Sequence, residues 1–324
     1  MGERPLVTML VLAYQQAASI EEAIRGALAQ THSPLEVVIS DDASTDGTWA
    51  SIERAVAGYT GPHRLVLNRN AANLGIGAHI DKMVALSRGE LLFIAAGDDI
   101  SLPQRCQRVV DAWLAAERRP DLISSNLIDL DERGRTHATI APTDLSTYRN
   151  AADWLARPPH VIGAAQAWTR RVFDRFGPLP AGTVAEDWLM VFRAIVSGGA
   201  ITLVEPLVQY RRGGISRRRR NRHAKDVVER LLKNNRHALV ELPQLLADAK
   251  RAGQLEAVED ALSLQFEREV FVRDVFGSGT FGARWKAFVA AQRVPLMLRL
   301  RLLAYSTCPA LLTPFFALKR ALDR

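Results

Sequence analysis

Two acidic clusters carry the chemistry that this sequence offers first. One is Asp41-Asp42-Ala43-Ser44-Thr45-Asp46-Gly47-Thr48, and the other is Gly97-Asp98-Asp99. Neighbouring carboxylates repel each other and are unfavourable together unless a cation or hydrogen-bond donors satisfy them. A hard divalent ion held by one or two carboxylates plus substrate phosphates answers that need, which suits Mg²⁺ or Mn²⁺ on a diphosphate. The competing reading makes Asp41, Asp42 and Asp46 builders of turns and helix caps, and it competes most closely at Asp46.

Each cluster follows a buried strand. Leu6 to Ala13 is an almost unbroken apolar run, the pattern of a strand covered on both faces. Ser19 reads as an N-cap ahead of Glu21 and Glu22, with a helix to about Gln30. Leu35 to Ile39 is a second strand, Thr48 to Ala57 a helix closed by Gly58, Leu65 to Leu67 a third strand, Gly77 to Ser87 a helix, and Leu91 to Ala96 a fourth strand. This alternation predicts an α/β, doubly wound, mostly parallel sheet flanked by helices. Ligands of such sheets bind beyond the carboxyl ends of the strands, so both acidic clusters belong to one rim.

The whole-chain numbers fit a large globular protein. The chain has 324 residues, 48% of them hydrophobic and 24% charged, with a mean hydropathy of −0.03. Disorder and a multi-span membrane protein are both disfavoured. Cys106 and Cys308 have no metal-ligand spacing. The net charge of +7 favours anionic partners. No secretory leader pattern is visible at Met1 to Tyr14, which predicts a cytoplasmic chain.

Several motifs together resemble the inverting GT-A glycosyltransferases of family 2. They are Val11-Leu12-Ala13-Tyr14, then Ile39 to Thr48, Asn73-Leu74-Gly75, Gly89-Glu90, Gly97-Asp98-Asp99 with Pro103, Phe173, Phe176-Gly177, and Glu186-Asp187-Trp188. The resemblance runs from about Leu6 to Ser216 and implies a role for each matching residue. Tyr14, Asp42 and Asn73 would line the nucleobase pocket of a nucleotide-sugar donor, a UDP-sugar being favoured. Asp98 would contact the donor ribose or sugar, Asp99 would hold Mg²⁺ or Mn²⁺ on the diphosphate, and Asp187 would be the general base. A base that deprotonates an acceptor hydroxyl as the bond forms gives single displacement with inversion.

Two departures from the family pattern stand out. Ala96 occupies the place where many members carry a further Asp, which leaves Asp99 as the expected metal ligand. Arg212-Gly213-Gly214 replaces a His that members often show, and Arg211 or Arg212 would take over charge neutralisation at the diphosphate. The Gln-x-x-Arg-Trp pattern of processive relatives is absent, so transfer of a single sugar is expected. A nucleotidyltransferase is the runner-up enzyme, but Tyr14-Gln15-Gln16-Ala17 supplies no Gly-rich phosphate loop. A catalytically silent sugar-nucleotide-binding or membrane scaffold protein is the rival that Ala96 and the missing His favour.

The expected organisation is a catalytic domain over 1–216, a basic linker and helical segment over 217–281, and a basic amphipathic region over 282–324. The basic run from Arg211 to Lys225 lacks aromatic platforms, so nucleic acid is not an expected partner. Between Asp274 and Asp323 there are seven cations and no carboxylate, interleaved with Trp285, Phe288, Leu296 and Phe315. That mixture predicts either peripheral contact with an anionic membrane or a packed helical subdomain. The first of these would bring the enzyme to a glycan or lipid-linked acceptor at the inner face of the cell membrane.

Overall fold

The computed structural model describes residues 4–211 and 224–308. They fall into two compact units, 4–211 with 251–254, and 224–250 with 255–308. The expectations for Arg212, for most of the basic run from Arg211 to Lys225, and for Phe315 lie outside the described residues.

The first unit opens with β1 (Val7–Ala13), α1 (Ile20–Leu28), β2 (Leu35–Asp41), α2 (Thr48–Val56), β3 (Arg64–Arg69), α3 (Ile76–Leu86) and β4 (Leu91–Ala96). It continues with β5 (Ile100–Ser101), α4 (Arg105–Ala115), β6 (Leu122–Leu130), β7 (Thr136–Ile140), α5 (Ala151–Ala156), β8 (Ala167–Thr169), α6 (Arg170–Phe176), α7 (Glu186–Ile195) and β9 (Ala200–Arg211). The sheet order is β3-β2-β1-β4-β8-β6-β9-β5, with β7 paired to β6. β3, β2, β1 and β4 are mutually parallel, as are β6 and β9, while β8 lies antiparallel to both β4 and β6. The result is the expected doubly wound, mostly parallel sheet.

β1 and β2 are buried along their whole length, as apolar runs without polar alternation require. α1 turns Ile20, Ala23, Ile24 and Ala27 inward at helical spacing and keeps Glu21, Glu22 and Arg25 outside that face. Ser19 sits at the N-cap position but makes no side-chain cap, contrary to expectation. Its hydroxyl donates instead to the Gly97 carbonyl at 2.9 Å, because the loop after β4 passes close enough to compete for it. That loop is tight: a Cβ on Gly97 would stand 2.8 Å from the Leu12 carbonyl oxygen. The third strand runs Arg64–Arg69, longer than the apolar core Leu65 to Leu67, because an edge strand can carry exposed arginines at both ends.

The second unit contains α8 (Ala224–Arg251, of which Arg251 belongs to the first unit), α9 (Glu259–Gly277), α10 (Phe281–Ala290) and α11 (Leu296–Thr307). Its core joins Phe271, Val272 and Val275 of α9 to Phe288 of α10, Val294, and Leu302 and Leu303 of α11. Among the described residues no helix is long and apolar enough to cross a membrane.

Candidate active site

The loops after β1 and β2 are knitted together by hydrogen bonds that need specific side chains. The Gln15 N–H donates to Ser44 Oγ at 2.8 Å, the Gln16 N–H to Thr48 Oγ1 at 2.8 Å, and the Ala17 N–H to Asp46 Oδ2 at 3.2 Å. Asp46 also accepts from the Thr48 N–H at 3.0 Å, so its turn-building reading holds. Gln15 and Ala43 adopt φ of +55° and +59°, a conformation non-glycine residues rarely take. Tyr14 is half-exposed beside this knot. Asp41, fully buried, accepts from the Ser44 N–H and pairs with Arg69 at 3.3 Å.

Asp42 organises the loop after β3. Its carboxylate accepts from Asn70 Nδ2 at 2.9 Å, from the Leu74 N–H at 2.9 Å and from the Gly75 N–H at 3.1 Å. A carboxylate has about four acceptor positions, so these three bonds leave Asp42 room for one more donor, at Oδ2. Asn73 Oδ1 accepts from the Gly75 N–H at 3.0 Å, which sets the same loop. Asn70 was not singled out by its sequence context, since a single Asn after a short strand carries no motif. Below, His79 Nε2 lies 2.7 Å from Ser40 Oγ. Burial holds this imidazole below its usual pKa against the pull of Asp42 and Asp41.

At the end of β4 the second acidic cluster meets the end of β9. Asp99 is buried, and its Oδ1 accepts from the Arg211 N–H at 2.7 Å. Burial and the adjacent Asp98 push the Asp99 carboxyl up to about 8. Asp98 is raised as well, again by burial first. The Arg211 guanidinium donates to the Asp98 carbonyl at 3.0 Å and pairs with Glu22 of α1. Arg105 is fully buried nearby, donating to Ser101 Oγ at 2.9 Å and to the Gln166 carbonyl at 3.1 Å, with its guanidinium over the Phe93 ring. Sequence reasoning assigned Glu22 only to the helix dipole and passed over Arg105.

Gln166 links this cluster to α7. Its carbonyl also accepts from the Ile94 N–H of β4 at 3.1 Å. Its side-chain oxygen accepts from Trp168 Nε1 at 2.7 Å, and its side-chain nitrogen donates to the Asp187 carbonyl at 3.4 Å. Asp187 is half-buried in the first turn of α7, where its Oδ1 accepts from the Trp188 N–H at 2.8 Å. A Cβ on Gly163 would lie 3.2 Å from the Asp187 Cβ and 3.3 Å from Glu186 Oε1. The backbone at Gly163 thus packs directly on the Glu-Asp pair.

With this geometry the comparison with known proteins is informative. Residues 8–175 match glycosyl transferase family 2. The chain belongs to that family. The succinoglycan biosynthesis protein ExoO of Rhizobium meliloti is 31% identical over 277 residues, covering 78% of this chain and 75% of ExoO. EpsE of Bacillus subtilis is 29% identical over 143 residues, and the match takes in 44% of this family 2 chain and 50% of EpsE. Among solved structures, S. aureus TarS residues 1–349 in complex with UDP-GlcNAc aligns with a TM-score of 0.58 at 17% identity, over 94% of this chain and 87% of that one. The mannosyltransferase PcManGT of Pyrobaculum calidifontis, in complex with GDP-Man and Mn²⁺, gives a TM-score of 0.53 at 20% identity over 97% and 82% of the two chains. These likenesses establish the GT-A fold of the glycosyltransferase family.

Among the described residues no cluster of three or more His, Cys, Asp or Glu side chains could hold a metal by protein ligands alone. The Asp98–Asp99 pair nonetheless fits a hard divalent ion. It supplies oxygen, and Asp99 is buried where its charge is unfavourable without a cation. Such ions are commonly bound by one or two carboxylates plus substrate phosphates.

Proposed function

We propose that this chain transfers a single sugar from a nucleotide diphosphate sugar, a UDP-sugar being favoured, to a hydroxyl of a glycan or lipid-linked acceptor, with inversion. One observation carries the reading. A single buried glutamine, Gln166, bonds both to β4, whose following turn carries Asp98-Asp99, and to the helix that begins with Glu186-Asp187. Donor-side and acceptor-side carboxylates are thereby fixed to one support. The donors printed for the two structural neighbours, UDP-GlcNAc and GDP-Man, support a nucleotide sugar. The name of ExoO supports a polysaccharide acceptor.

Tyr14, Asp42 and Asn73 line the nucleobase side, and the last acceptor position of Asp42 takes an N–H of the base. Asp98 faces the donor ribose or sugar. Asp99 holds Mg²⁺ or Mn²⁺, which when bound offsets the charge of the departing nucleoside diphosphate. Arg211 stands beside both aspartates and adds positive charge at the same place. Asp187 takes the proton of the acceptor hydroxyl as that oxygen attacks the anomeric carbon, so the sugar inverts and no covalent enzyme intermediate forms. The chain works as a peripheral protein at the cytoplasmic face of the cell membrane.

A thermal-shift screen of nucleotide sugars, with and without Mn²⁺, tests the reading, since a ligand that binds only the native state raises its stability by mass action. Stabilisation by one sugar nucleotide, enhanced by Mn²⁺ and followed by release of the nucleoside diphosphate when acceptor is added, is the expected result. Binding without turnover on any glycan acceptor would favour a silent sugar-nucleotide-binding protein instead.

A further inference from the structure

The second unit leaves uncovered a set of apolar side chains that its own core does not use. On α10, Phe281, Trp285 and Val289 recur every four residues and are 61%, 48% and 49% exposed. Residues at that spacing share one face of a helix. On α11, Leu296, Met297 and Leu300 are 54%, 77% and 44% exposed. Phe281 stacks on Trp285, with ring centroids 6.2 Å apart, and Trp285 stacks on the buried Phe288 at 5.0 Å. The indole is therefore held in place by the core through Phe288 while half of it remains in water. Single exposed apolar residues need no explanation, but six on two consecutive helices do.

Charge indicates what covers them. The sequence holds no carboxylate from 275 to 322. Arg293 is committed to Asp260 at 3.2 Å and Glu267 at 2.7 Å. Arg299 lies over the Phe288 ring and donates to its carbonyl at 2.8 Å, and Arg284 donates to the Ser278 carbonyl at 3.2 Å. Lys286 and Arg301 are exposed, and neither α10 nor α11 carries a carboxylate. A second copy of the chain would set like charge against like. A negatively charged bilayer instead offers headgroups to the cations and an acyl boundary to the apolar residues, and Trp is at home at that boundary.

We infer that α10 and α11 form a shallow interfacial docking surface for an anionic lipid bilayer, with Phe281, Trp285, Val289, Leu296, Met297 and Leu300 entering the acyl boundary and Lys286 and Arg301 at headgroup level. This deepens the membrane part of the proposed function and is independent of its chemistry. It also changes the balance expected from sequence. With Arg293 and Arg299 occupied inside the unit, the apolar contribution leads and the salt-sensitive one is minor.

The test is co-sedimentation of the full chain with vesicles of phosphatidylcholine alone and of phosphatidylcholine mixed with phosphatidylglycerol. The triple variant Trp285→Ser, Met297→Ser, Leu300→Ser and the double variant Lys286→Ala, Arg301→Ala are compared with wild type. Wild type is expected to sediment with the anionic vesicles. The triple variant should lose on the order of 100-fold or more in partitioning at every salt concentration. The double variant should lose affinity at low salt only. Thermal melts of the double variant should match wild type, the triple variant should melt lower for loss of the Trp285–Phe288 stack yet unfold cooperatively, and nucleotide-sugar binding should be unchanged in both. A wild-type chain that ignores anionic vesicles, or a triple variant that sediments as wild type does, overturns the inference. A concentration-dependent dimer that the triple variant abolishes overturns it in favour of self-association.

Discussion

The backbone N–H of Arg211 donates to Oδ1 of Asp99 at 2.7 Å, so the last residue of β9 holds the carboxylate at the end of β4 by main chain alone. The Arg211 side chain is left to pair with Glu22 and to donate to the Asp98 carbonyl. Arg211→Lys should therefore keep the backbone bond and the charge yet lose the planar fork that makes two bonds at once. Donor affinity is expected to fall about tenfold with the fold intact, as read by calorimetric titration. Donor affinity equal to wild type would remove Arg211 from the diphosphate site.

Asp187→Asn should leave donor binding nearly unchanged and lower turnover by about 10² to 10⁴, the usual worth of a general base. Single-turnover kinetics at saturating donor would show this. Turnover near the wild-type rate would shift the role to Glu186, the neighbouring carboxylate in the first turn of α7.

Asp99→Ala should abolish the enhancement of donor binding by Mn²⁺, since carboxylate oxygen is the ligand such ions prefer. Titration of donor with metal and with chelator is the measurement, and equal enhancement in wild type and variant would sink the assignment. Ser44→Ala serves as the control for metal but is not neutral for stability. Ser44 Oγ accepts from the Gln15 N–H at 2.8 Å, and losing this part-buried bond should cost about 1 kcal/mol.

Gln166→Met keeps the side chain's length and removes the donor to the Asp187 carbonyl together with the acceptor for Trp168 Nε1. If Gln166 positions the start of α7, turnover should drop while the affinity for the sugar nucleotide holds. A purely structural role would lower the melting temperature and leave turnover per folded molecule unchanged, so the two readouts taken together separate the cases.

Buried His32 and His63 should each lower stability as pH drops below about 6.5, against the opposite contribution of the raised Asp99 carboxyl, which favours the folded state as pH falls. His32 and His63 are buried, each with Nε2 3.0 Å from a main-chain carbonyl, those of Pro5 and Gln30. Burial lowers both below the ordinary value of 6.5. Between 6.5 and those depressed values the unfolded chain binds protons that the folded chain does not, so the folded state loses stability as pH falls. Each histidine contributes a slope of at most about 1.4 kcal/mol per pH unit. From pH 8 to 5.5 wild type should lose stability relative to the His32→Gln, His63→Gln double variant in melting curves, and a difference between the two that does not change with pH would refute this source.

The first half of the catalytic unit was legible because its signals are local. The apolar run from Leu6 to Ala13 reports burial on both faces, and Glu21 and Glu22 mark the first turn of α1. The second half was not. β8 is three residues long, and β9 pairs with β6 across a long stretch of sequence and through a shifted register. Asp42, Asp98, Asp99 and Asp187 could be named from motifs, whereas Arg105, Gln166 and Glu22 could not. Their positions follow from tertiary packing around the strand ends, which no spacing rule encodes. In the tail, composition gave the amphipathic character but not its division: Trp285 and Phe288 shared one expectation, a bilayer or a packed subdomain, and Phe288 is in the core of the second unit while Trp285 is half-exposed.

The antiparallel strand β8 joins the parallel strands β1 to β4 to the β6–β9 pair through three register pairs on one side and two on the other. That makes it a thin seam between two larger hydrogen-bonded blocks. Sub-global opening follows the weakest ladder, so native-state hydrogen exchange should show the two blocks as separate cooperative groups, with the amides of Ala167 to Thr169 exchanging with the less stable one. Of the residues proposed to bind the donor, Tyr14, Asp42 and Asn73 follow strands of the β1–β4 block whereas Arg211 ends β9, so a bound donor should slow exchange in both blocks.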